Sequence, residues 1–159
     1  MDLGTAIVGA ICAALCILPF VLMNRNRKKS ERQILLSLKN NASQHDSQIS
    51  QYELHGHFAI GVDQTKKYVY FYHQDKGAIS EQFIDLAEIE SCKPVNTHRV
   101  VNHRDGDQKI IERLDLCLTP RDRSKQPFNL EFFNAQHSPQ LNGELQIVEN
   151  WSNVIGALI

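Results

Sequence analysis

What this chain has little of already narrows its chemistry. It carries no GxSxG nucleophile elbow, no phosphate-cradling glycine loop and no HExxH helix. Asp63, Glu88, Glu112 and Asp115 stand at separate positions that strand alternation explains, so no carboxylate pair is set for acid–base work. No catalytic residue and no cofactor is therefore assigned, and the chain is read as non-enzymatic. Its four cysteines, Cys12 and Cys16 in an apolar run and Cys92 and Cys117 far apart beyond it, form no CxxC pair. That argues against both a zinc site and a disulfide framework, and for reduced thiols. Charge of one sign is lacking too: 17 Lys and Arg face 18 Asp and Glu, with seven His, so no global field attracts nucleic acid.

One long hydrophobic run is present. Leu3 to Met23 number about 21 uncharged residues, which at ~1.5 Å per residue span roughly the 30 Å hydrocarbon core of a bilayer. A secretory signal would place basic residues ahead of the run, whereas only Asp2 and the terminal amine precede it. Residues 3–23 are expected to be an uncleaved transmembrane helix, with Pro19 a tolerable kink near its end. Directly after it come Arg25, Arg27, Lys28, Lys29 and Arg32 against the single acid Glu31. The positive-inside rule then puts the C-terminal domain in the cytoplasm of a bacterium, anchored once in the inner membrane. The same five cations are candidate contacts to anionic headgroups, at roughly 1 kcal/mol each near the surface. Their plainer role is to stop transfer.

Residues 24–51 read as a juxtamembrane segment. Ser30-Glu31-Arg32-Gln33 has the capping-box pattern, so a short helix striped by Ile34, Leu35 and Leu38 is expected. Lys39 to Gln51, rich in Asn, Ser and Gln, reads as its frayed end or a linker.

From Tyr52 the period changes to two. Phe58, Ile60 and Val62 alternate with small or polar residues, Asp63 to Lys66 turn, and Lys67 to His73 follow as an aromatic, β-branched strand. Further strands are expected at Ile79–Ile84 and Ile89–Val101, the latter an edge or bulge at Pro94, which has no amide to donate. Asp105-Gly106 marks a hairpin, and the next strand turns Ile110, Leu114, Leu116 and Leu118 one way, with Arg113, Asp115 and Cys117 the other. Phe128, Leu130 and Phe132 alternate in the last strand. Leu141, Leu145, Val148, Trp151, Ile155 and Leu158 then recur at helical spacing, giving an amphipathic helix over 140–158 with Trp151 as its central packing residue. The expected fold is α+β: residues 52–159 form an antiparallel barrel or strongly curved sheet closed by that helix.

The antiparallel strands followed by ELQIVENWSNVIGAL, a C-terminal helix with a central Trp, resemble the pleckstrin-homology-like barrel, although six strands are read here where that family has seven. AIGVDQTKKYVYFY, IDLAEIESCKPVN and LNGELQIVENW look like a family of small single-pass membrane proteins of Bacteroidetes-type bacteria. That resemblance implies architecture and location and brings no activity. The first implies that Lys66 and Lys67, in the first hairpin turn, stand where lipid-binding members carry basic residues. His55 with His57, and His98 with His103, are imaginable metal ligands, but no further donors are placed beside them, and they are read as surface histidines. Arg121 to Lys125 is read as a solvated loop. Two functions remain open: a tethered module that presents its β domain to a protein partner, and a sensor of anionic lipid. A third, periplasmic reading would allow Cys92 and Cys117 to pair.

Overall fold

The computed structural model describes residues 31–159 apart from residues 76, 104, 105 and 139. The apolar run, Arg25 to Lys29 and the Ser30 cap lie outside the described residues. Among those described, no helix is long and apolar enough to cross a membrane. The chain divides into two units, Met1–Leu36 and Ser37–Ile159. The described part of the first, residues 31–36, is helical, and the second holds all the described strands.

Residues 31–44 form helix α1. It outruns the expected short helix because Ala42 continues the four-residue spacing of Ile34 and Leu38, and all three are buried. The polar composition around Ala42 concealed that added turn. Strands β1 (Gln51–His55), β2 (Phe58–Asp63), β3 (Tyr68–Asp75) and β4 (Ala78–Asp85) follow, paired in sequence order into one antiparallel sheet. A 3-10 turn at Leu86–Glu88 leads to β5 (Ile89–His103), β6 (Gly106–Pro120) and β7 (Phe128–Asn134), a second antiparallel sheet. Helix α2 (Glu144–Gly156) ends the fold. The class is thus α+β as expected, but the strands make two separate sheets and close no barrel.

The seventh strand, unread in the sequence, is β1. Its five residues QYELH are few and mostly polar: Gln51 closes the expected linker, and Tyr52 to His55 open the period-two region without an alternation long enough to mark a strand. Both faces of β2 are covered. Phe58, Ile60 and Val62 enter a core shared by the two sheets and α2, while an added Cβ on Gly61 would meet Leu38 Cδ2 and Ile49 Cγ2 at 3.0 Å. Glycine at 61 thus leaves room for the Leu38 and Ile49 side chains to lie close on the outer face of the first sheet. Farther along that face, His45 stacks on Phe83 with centroids 3.9 Å apart.

In the second sheet, one-residue bulges reset the alternation. Thr97 pairs with Arg113 and His98 with Ile111, so Glu112 is the extra residue on β6. The phase flips there: Ile111 packs against the core and Ile110 is left 45 % exposed, against the expected inward Ile110. A second bulge lets Phe132 and Phe133, neighbours in sequence, both be buried. Pro94 lies opposite Leu116 on β5, which is an edge strand, and the bulges fall beside Glu90 and Glu112 rather than at Pro94.

α2 is shorter than expected and its stripe is rotated. Ile147, Val148, Trp151 and Ile155 are buried, while Leu145 is exposed. Trp151 is 1 % exposed, and its indole N–H donates to Glu53 Oε2 on β1 at 2.7 Å. That bond ties the last helix to the first strand, and a charged acceptor suits a donor otherwise buried.

Candidate functional site

The β2–β3 turn is built around one buried acid. Asp63, 4 % exposed, accepts from the Ser47 hydroxyl at 2.7 Å, the Gln48 amide at 3.0 Å, the Thr65 amide at 2.8 Å and the Lys66 amide at 3.0 Å. Burial pushes its carboxyl up, but the Ser47 hydroxyl and the three amides outweigh that and hold it below the ordinary 3.8. The fold then presents Lys66 and Lys67 side by side, both exposed. The Lys66 ammonium donates to the His45 carbonyl at 3.2 Å, and Lys67 sits in the left-handed region at φ 59° with its carbonyl accepting from Leu86 N at 2.9 Å. Lys67 therefore stands in a conformation that a non-glycine residue adopts at a cost of roughly 1 kcal/mol. Arg32 is exposed on α1.

A different surface lies along β5. This edge strand is 15 residues long, and Lys93 to Val100 are exposed, among them Val95 and Val100 at 44 % and 53 %. Near its start, the Ser152 hydroxyl of α2 donates to the Cys92 carbonyl at 3.4 Å. Cys92 and Cys117 are both free thiols. The register sets Cys92 opposite Leu118 and Cys117 opposite Lys93, so their side chains fall on opposite faces of the sheet and cannot bridge.

No group of three or more His, Cys, Asp or Glu among the described residues is placed to hold a metal, and the side chain of His103 lies outside the described residues. The structure gathers a different set. His57, His73, Gln74, Asp75 and His137 line a pocket of about 140 Å³. No local pattern signals it, because its residues come from the β1–β2 turn, β3 and the segment after β7. The loop at Arg121 to Lys125 is exposed, with Lys125 Nζ 2.6 Å from Glu88 Oε2.

No family model, curated protein or solved structure matches the chain.

Proposed function

We propose that the chain is a membrane-tethered, non-enzymatic interaction module that offers the outer edge of β5 to an extended segment of a protein partner in the cytoplasm. The observation that carries this reading is the exposed stretch Lys93 to Val100 on a long edge strand. Such an edge presents main-chain donors and acceptors that a partner strand satisfies, and alternate side chains give the specificity. Arg99 and Lys93 mark the edge with charge, which discourages indiscriminate pairing. The four-plus-three strand count and a C-terminal helix with a buried Trp support the resemblance to pleckstrin-homology-like domains. Tethering rests on residues 3–23 and the basic cluster that follows them.

A photoreactive cross-linker placed at Val95 in the full chain, within native membranes, should give a discrete adduct that the same probe at the exposed Gln146 of α2 does not. Equal labelling from both positions removes the β5 reading.

The exposed pair Lys66 and Lys67 favours a second reading, an anionic-lipid sensor that also uses Arg25, Arg27, Lys28, Lys29 and Arg32. Co-sedimentation with neutral and anionic liposomes at low and high salt separates the two. The fragment should begin at Ser37 or earlier, because Leu38 and Ala42 are buried in the domain. Salt-sensitive binding by residues 37–159 supports lipid contact through the turn, and binding only by residues 24–159 confines it to the basic cluster.

A further inference from the structure

The free edge of β5 carries charge of one sign. From Ser91 to His103 the strand holds Lys93 and Arg99 and no acid; its one acid, Glu90, stands before that stretch. The buried Leu114, Leu116 and Leu118 lie opposite Asn96, Pro94 and Cys92, so these three are on the core side and Lys93, Val95, Thr97 and Arg99 share the other face. The bulge after Thr97 adds its extra residue to β6, which leaves the alternation of β5 unbroken. Lys93 and Arg99 are both exposed and stand roughly 20 Å apart along the strand, at about 3.3 Å per residue, with Val95 and Thr97 between them.

Neither cation is neutralised by the domain. Among the described residues, no ion pair or side-chain hydrogen bond involves Lys93 or Arg99. Two carboxylates share their face, Asp115 opposite Val95 and Glu131 opposite Asp115, and Arg113 holds both, at 2.7 Å and 3.2 Å. Arg99 lines a pocket of about 110 Å³ together with Glu112, Ile110 and Ile111, yet it makes no ion pair with Glu112. A strand added at the free edge lies about 4.8 Å from β5 and about twice that from β6, so the first charges it meets are Lys93 and Arg99.

We propose that the extended segment taken by the β5 edge is acidic: two carboxylate side chains, six residues apart on one face, meet Lys93 and Arg99, and β-branched side chains between them lie beside Val95 and Thr97. This rests on the β5 reading above and names the class of its partner. Opposite charges and β-branched side chains directly across two strands favour that register, and like charges across from one another disfavour a basic segment. A second copy of the edge would bring two more cations to the two already present. Because both charges are exposed, they govern the choice of partner more than the strength of binding.

The test uses the full chain in detergent micelles with a photoreactive cross-linker at Val95. Three peptides with blocked termini are offered at equal concentration: ETVTVTE, QTVTVTQ and KTVTVTK. Adduct yield should be about tenfold higher for the Glu peptide than for the Gln peptide, the combined effect of two exposed ion pairs, and lowest for the Lys peptide. Raising the salt from about 0.1 M to about 1 M should shrink that difference. In the double variant Lys93→Glu, Arg99→Glu the order should invert, with the Lys peptide captured best, a gain that loss of the fold does not produce. The basic cluster at residues 25–32 is unaltered in that variant, so attraction to it does not follow the inversion. Equal yields of the three peptides at Val95, all above those from a probe at Gln146, would overturn the acidic partner and leave the edge reading standing. An order unchanged in the double variant would overturn it as well. Yields at Val95 no higher than at Gln146 would remove the edge reading and this inference together.

Discussion

Replacing Asp63 by alanine tests whether one buried carboxylate organises the edge of the first sheet. The substitution leaves four donors without their acceptor. Thr65 and Lys66 are exposed, and water takes over their amides at little cost. The Ser47 hydroxyl is in a buried residue and the Gln48 amide is part-buried, so these two losses count. At roughly 1.5 kcal/mol for each hydrogen bond to a charged group, the expected destabilisation is about 3 kcal/mol. For a domain of this size that lowers the thermal midpoint by about 12 °C. Denaturant unfolding reads it directly, because the chain has a single Trp and that residue is buried in the core. The pH dependence gives an independent check on sign. Asp63 is held below 3.8 in the fold, so its contribution is complete above that value and is lost as pH falls below about 4. Asp63→Ala should therefore differ most from the parent at neutral pH and converge on it in acid. A loss under about 0.5 kcal/mol at pH 7, or a difference that grows in acid, would refute the reasoning.

Two further outcomes follow from buried polar atoms. Glu53→Ala leaves the Trp151 indole N–H buried without its acceptor and should cost about 2 kcal/mol in the same unfolding assay, whereas Glu53→Gln, which keeps an acceptor oxygen, should cost less. Burial, with Cys117 adding to it and the Ser152 contact opposing, pushes the Cys92 thiol up to about 12. Alkylation of Cys92 at pH 8.5 should run at least ~100-fold slower in the folded protein than after denaturation, as peptide mass spectrometry would show.

The fold was readable wherever apolar residues repeat within a single element. The β2–β3 hairpin, the last strand and the C-terminal helix with Trp151 all carry their own periodicity. What escaped reading depended on partners remote in sequence. β1 carries no legible pattern of its own, because its stabilising contact, from Glu53, reaches a residue 98 positions away on α2. α1 continues into a run of Asn, Ser and Gln because one small side chain, Ala42, suffices to carry the buried face of Ile34 and Leu38 a turn further. Ile110 was turned the wrong way because a bulge adds a residue that no local pattern announces. Of the candidate sites, the Lys66–Lys67 turn was visible and its organiser was not. Asp63 reads as an ordinary turn acid until Ser47 and Gln48 are brought against it. The pocket of His57, His73 and His137 belongs to no motif, since its members come from different elements.

The bond from Trp151 to Glu53 has a bearing on synthesis. A chain made from its N-terminus has both sheets available before α2 exists, yet Val148, Trp151 and Ile155 complete the core only once α2 has left the ribosome. Until then the faces of the strands that they cover stay open to water and to other chains. Early termination within the last helix should therefore yield an aggregating species rather than a slightly weaker domain.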